Sequence, residues 1–125
     1  MQKINSVEDL QVFKRGHFLT LRIYKSTKDF PPDERYGLVS QMRRAGASIC
    51  ANLIEGSHRL SRKEFRQFVG IAKGSVGELK YYSLLAKDLE YLSNDEFNFF
   101  EKETQEISRM LYGLAATLAK EKKCQ

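Results

Sequence analysis

Apolar residues recur along this chain at steps of three and four, the period of a helix with one buried face. Leu10, Phe13, Leu21 and Tyr24, joined by Phe18, form the first such stripe. Ser6, with Asp9 three residues on, approximates a capping box and places a helix over 7–28. Pro31 and Pro32, the chain's only prolines, then break the pattern. It resumes with Leu38, Met42, Ile49 and Leu53 and stops at Gly56, giving a helix over 33–57. Ser61 and Glu64 read as a capping box for a third helix over 62–90, whose apolar positions are Phe65, Phe68, Val69, Ala72, Val76 and Leu79. Ser93 and Glu96 open a fourth over 94–120, with Phe97, Phe100, Ile107, Leu111, Leu114 and Leu118. The polar tail KEKKCQ is expected to fray. No segment alternates like a strand. Helices with short loops predict an all-α, antiparallel up-down four-helix bundle, one domain over residues 1–125.

Composition adds limits. The chain is 42% hydrophobic and 30% charged, ordinary for a globular protein with its own core. It has no long uncharged apolar run and no apolar segment near residue 1, so neither a membrane span nor a secretory signal is expected. Cys50 and Cys124 stand far apart, in neither a disulfide framework nor a metal spacing. A cytoplasmic location is the expectation. A net charge of +5, from 21 basic and 16 acidic residues, favours anionic partners modestly.

The second helix carries a polar stripe, Gln41, Ser48, Asn52 and Glu55, beside its apolar face. Val39, Cys50 and Ile54 widen that face beyond a normal amphipathic stripe. The excess predicts burial against another subunit. The polar stripe reads as a hydrogen-bond network between helices. A catalytic Glu55 is the competing reading, with no His, Cys or second acid at fixed spacing to support it. Ala45, Gly46, Ala47, Ser48 and Ala51 allow close helix approach. Gly46 costs about 1 kcal/mol of helix propensity against Ala, so something should compensate.

The third helix holds Gly70, Gly74 and Gly77 off its core stripe. Beside them Arg62, Arg66, Lys73, Lys80 and Lys87 share one face, over roughly 37 Å of helix. Either these charges are solvated and pair with Glu64, Glu78 and Asp88, or they track phosphates of RNA or DNA. Tyr81 lies on the glycine side, where a base could stack. Asp33 and Glu34 read as favourable N-terminal charges on the second helix. His17 and His58 are isolated. No metal, phosphate-loop or nucleophile motif is present, so no catalytic residue, cofactor or metal site is expected.

The segments FPPDERYGL, QMRRAGASICANLIEG and FVGIAKGSVGEL, with SRKEF, LEYLS and SRMLYGL in order around them, resemble the bacterial four-helix bundle family of 23S rRNA intervening-sequence proteins. The resemblance runs from Asp9 to about Leu118. It departs at Gly46, where the family often has Ala, and at Leu53-Ile54, where Ile-Ala is common. It implies a bundle assembling into a homopentameric ring, akin to the accessory variability determinant of diversity-generating retroelements, a basic pentamer that contacts a reverse transcriptase and nucleic acid. The basic residues that the resemblance carries over are Arg43, Arg44, Arg59 and Lys73. Arg43 falls inside the apolar arc and is expected to pair across a subunit boundary, with Glu55 or Glu78 of a neighbour.

The expected function is a non-enzymatic homo-oligomer that binds nucleic acid through Arg44, Arg59, Arg62, Arg66, Lys73 and Lys80. The alternative is an adaptor whose same basic face docks a protein such as a reverse transcriptase.

Overall fold

A computed structural model describes residues 6–120. Four helices make the fold: α1 (Gln11–Thr27), α2 (Leu38–Ser57), α3 (Arg62–Asp88) and α4 (Asn94–Ala119). Each packs on the next in the chain, and α4 closes back onto α1. Cross-contacts fix every neighbouring pair as antiparallel. Thr20 meets Gly46 and Tyr24 meets Arg43 between α1 and α2. Gly56 meets Phe68 and Ser48 meets Ser75 between α2 and α3. Arg66 meets Ala115 and Lys87 meets Phe97 between α3 and α4. Arg15 meets Glu103 and Arg22 meets Phe99 between α1 and α4.

The core runs through Leu19, Ile23, Met42, Ile49, Leu53, Val69, Val76, Leu79, Phe100, Ile107 and Leu111, all essentially inaccessible to solvent. Each such Leu, Ile or Phe stabilises by about 1.5–3 kcal/mol relative to exposure. The expected faces of α2, α3 and α4 are the buried ones. That of α1 is not. Its inward residues are Val12, Gly16, Leu19, Ile23 and Thr27. Leu21 is 54% exposed, and Phe18 and Tyr24 are also exposed. These side chains serve the flanks: Phe18 packs edge-on to Phe99, and Tyr24 lies under the Arg43 guanidinium.

Three helix ends differ from expectation. Ser6 makes no side-chain cap; a 3-10 turn, Val7–Asp9, precedes α1 and Leu10 is extended. That turn tucks Val7 into the core. After the prolines a second 3-10 turn, Pro32–Glu34, delays α2 to Leu38. The Glu34 carboxylate accepts from the Leu38 N–H at 3.1 Å and from the Tyr91 hydroxyl at 3.0 Å. It thus caps α2 and ties the two loops at this end together, with Tyr91 also packed on Phe30. A Cβ at Gly37 would come 2.9 Å from that same carboxylate. Helix α3 ends at Asp88 in a Schellman arrangement, with Tyr91 N–H on the Ala86 carbonyl and Glu90 N–H on the Lys87 carbonyl. Glu90 takes the left-handed position, φ 66°. The remaining caps form as read: Ser61 accepts from the Glu64 N–H, and Ser93 and Glu96 complete both arms of a capping box. The KEKKCQ tail lies outside the described residues beyond Lys120, as does Cys124.

Much of the wide apolar arc of α2 is covered within the chain. Gly16 and Gly46 let α1 close on one flank: a Cβ at Gly46 would lie 2.7 Å from Ile23 Cδ1, and one at Gly16 3.2 Å from Ile49 Cγ2. Thr20 bridges them, its hydroxyl shared between the carbonyls of Gly16 and Gly46 at 2.8 and 3.0 Å. This close approach compensates the poor helix propensity of Gly46. Only Ile54, with Ala47 and Ala51 beside it, remains exposed on the outer face.

Candidate nucleic-acid interface

The basic ridge of α3 lies over its seam with α4. Descending α4, Arg62 donates to the Thr117 carbonyl at 2.7 Å and Arg66 to the Ala115 carbonyl at 3.1 Å. Lys73 lines a groove with Gln105 and Ser108, and Lys80 lines it with Thr104. At the far end Lys87 Nζ sits 4.7 Å from the centre of the Phe97 ring. One α3 face therefore carries five cations in register with a single neighbouring helix.

These cations are not equivalent. Arg62 and Arg66 bond to carbonyls near the C-terminus of α4, where the helix dipole favours positive charge. Lys73 and Lys80 are exposed and make no ion pair among the described residues. The pairing with Glu64, Glu78 and Asp88 that a merely solvated ridge would show is absent among them. Beside the lysines, a Cβ at Gly70, Gly74 or Gly77 would meet nothing within 4 Å. The outer face of α3 is thus bare, bordered by exposed Ile71, Tyr81 and Leu84.

Arg59 sits at the α2–α3 turn, paired with Glu55 at 2.9 Å and stacked 4.8 Å from the centre of Phe68. Glu55 is half exposed in an i,i+4 ion pair, and it joins no second helix. Asn52 likewise bonds within α2, to the Ser48 carbonyl at 2.8 Å and its hydroxyl at 3.2 Å. The link across to α3 is made by Ser48 with Ser75. The expected inter-helix network is therefore carried by two serines rather than by Asn52 and Glu55. Gln41 accepts from Arg44 at 2.8 Å.

Arg44 lies apart from the seam. It lines a cleft of about 400 Å³ on the α1–α2 side with Arg35, Arg43, Tyr24 and Tyr36. Arg43 finds its partners inside the chain: Thr27 Oγ1 at 3.0 Å, the Tyr24 carbonyl at 3.3 Å and the Tyr24 ring. This cleft of cations and tyrosines was not readable in the sequence, because it assembles from the end of α1 and the segment before α2. Arg15 and Glu103 were also missed. The buried Glu103 accepts from Arg15 Nε at 2.9 Å and from its terminal nitrogen at 3.1 Å, and that hydrogen-bonded pairing raises the Arg15 pKa.

Cys50 is half-buried, with its thiol 3.3 Å from the Phe13 carbonyl, and burial pushes its pKa up to about 11. No group of three or more His, Cys, Asp or Glu among the described residues could hold a metal ion. No described helix is long and apolar enough to cross a membrane.

Residues 8–113 match the family model described as 23S rRNA-intervening sequence protein. The chain belongs to that family. A solved relative has the same fold: a protein of unknown function from the S23 ribosomal protein family of Bacteroides thetaiotaomicron, 24% identical, with a TM-score of 0.75 over 83% of this chain and 97% of that one. No curated protein matches. Within this intervening-sequence family member, the α3–α4 seam is the surface where Lys73 and Lys80, without an ion pair among the described residues, meet bare backbone and the exposed Tyr81.

Proposed function

We propose that this intervening-sequence family protein is a non-enzymatic bundle that assembles with copies of itself, as a homopentameric ring, and binds structured RNA or other nucleic acid along the α3–α4 seam. The observation that carries the reading is the pair Lys73 and Lys80, exposed and without an ion pair among the described residues, on a helix face that three glycines leave open. Lysines in such a position meet phosphates with little sequence preference. Arg62 and Arg66 keep spare N–H donors beyond those given to α4. Arg59 and Arg44 extend the positive surface away from the seam. Self-association is supported by the exposed Ile54 on α2, with Ala47 and Ala51 beside it. A ring would multiply weak contacts by avidity.

Filter binding to rRNA fragments, with solution mass measured alongside, tests this. The expected result is a multi-chain mass at micromolar concentration and binding that weakens steeply with salt. A single-chain mass, or no binding at low salt, would remove the corresponding half of the reading.

A protein adaptor is the second reading, favoured by the exposed apolar groups Ile71, Tyr81, Leu84 and Tyr112. Its partner would present an acidic surface, as a reverse transcriptase-type polymerase could. A pull-down that survives nuclease treatment would favour it.

A further inference from the structure

The seam contains a second feature that phosphate tracking does not use. Between α3 and α4 lies an apolar pocket of about 280 Å³, walled by Tyr81, Leu84 and Phe97 and floored at Gly77. It lies just under the roughly 300–1,000 Å³ usual for a ligand site, room for one ring system. Ser83 lines it too. That residue is 1% exposed, and its hydroxyl is the one buried side-chain polar atom without a hydrogen-bond partner among the described residues. An orphaned buried hydroxyl is costly unless something binds it. Lys80 and Glu101 line the same pocket, Lys73 and Lys80 line the adjoining groove, and Lys87 sits over the Phe97 ring.

The geometry points to a binding site for one unpaired nucleobase. Resting on the nucleic-acid reading above, it adds what the seam recognises: RNA with a base free to leave the stack, rather than uniform duplex. The ring enters between Tyr81, Leu84 and Phe97, where aromatic and aliphatic faces replace its stacking partners. The Ser83 hydroxyl, closed off from solvent in this structure, meets a polar edge of the base as the ring wedges the walls apart. Glu101 accepts from an exocyclic amine, which favours cytosine, adenine or guanine over uracil. Lys73 and Lys80 hold the flanking phosphates, so the cations outnumber the single carboxylate in the pocket. Gly77 admits the base because it has no side chain to fill the floor.

The test compares two RNA hairpins with equal phosphate number, one fully paired in its stem and one carrying a single bulged cytosine. Wild-type protein should bind the bulged hairpin more tightly, by roughly 5- to 150-fold, the span expected for one stacked base. Both should show the same salt slope. Tyr81→Ala and Gly77→Leu should each erase the preference, while the salt slope on both hairpins, set by the lysines, stays that of the wild type. The second variant keeps every charge, and a Cβ at this position meets no atom within 4 Å, so the added side chain starts from open space at the pocket lining. Equal wild-type affinity for both hairpins, at an intact salt slope, would overturn the base site and leave phosphate tracking standing. So would a preference that survives Gly77→Leu, or a change in oligomer mass in that variant, which would mean that a second copy of the chain fills the pocket. Failure to bind either hairpin at low salt would overturn the nucleic-acid reading itself, and this site with it.

Discussion

Arg66 Nε donates to the Ala115 carbonyl at 3.1 Å, joining the first turns of α3 to the C-terminal end of α4. Arg62 does the same at Thr117, four residues earlier on α3. Two cations of the basic ridge therefore tie α3 to the C-terminal end of α4 as well as adding to the surface charge. Each such contact contributes about 0.3–1 kcal/mol. The double variant Arg62→Ala/Arg66→Ala should lower the melting temperature by a few degrees, measured by circular dichroism. The double variant Lys73→Ala/Lys80→Ala should leave it unchanged. Equal effects would mean that the two pairs do not differ in role.

The glycines divide in the same way. A Cβ at Gly56 would lie 2.7 Å from Phe68 Cβ and 2.9 Å from Phe65 Cδ1, where α2 hands over to α3. Gly56→Ala should destabilise by about 1–3 kcal/mol through overpacking. Gly70→Ala and Gly74→Ala meet nothing within the chain. Each should stabilise the isolated chain by about 1 kcal/mol from helix propensity. If α3 packs against another copy, the same pair should disperse the oligomer. Urea unfolding and solution mass, measured together, separate the two effects.

Glu90 holds a left-handed backbone position at the end of α3, φ 66°. A residue with a Cβ pays about 1–2 kcal/mol there relative to the right-handed region, and glycine does not. Glu90→Gly should raise stability by about 1 kcal/mol with the fold unchanged. A fall in the urea midpoint would show that this side chain is needed for a contact.

The Cys50 thiol should behave as a buried acid. Its folded pKa is pushed by burial from 9.0 to about 11. The protonated form is thus favoured by folding, and that stabilisation is fully present below pH 9.0 and lost as pH rises through about 11. In a Cys124→Ser background, alkylation at pH 8 should be much slower in the folded protein than in urea, since the thiolate is the reacting species. Equal rates would contradict the buried thiol.

Much of the fold was legible because its signals are local. Ser93 and Glu96 form both arms of their capping box, and Leu38, Met42, Ile49 and Leu53 are the buried face of α2. Helix α1 misled because its larger apolar residues, Phe18, Leu21 and Tyr24, work on its flanks while Gly16 and Thr27 face inward. The second helix started late because Glu34 turns back to cap Leu38, a choice made by the tertiary tie to Tyr91. The ridge on α3 could be read from helical spacing. Its register with α4 could not, since Arg66 and Ala115 are 49 residues apart. The Arg15–Glu103 pair, 88 residues apart, was invisible for the same reason. The orphaned Ser83 hydroxyl is legible only once both walls of its pocket are in place.

Binding of a structured rRNA fragment as a function of salt tests the central proposal most directly, with wild type set beside Lys73→Gln/Lys80→Gln. A slope of about 0.9 in log affinity against log salt accompanies each phosphate contact to a duplex. The wild-type protein is predicted to bind with a steep slope, and the variant to lose about two contacts' worth of it per engaged chain. An unchanged slope and affinity in the variant would contradict the account.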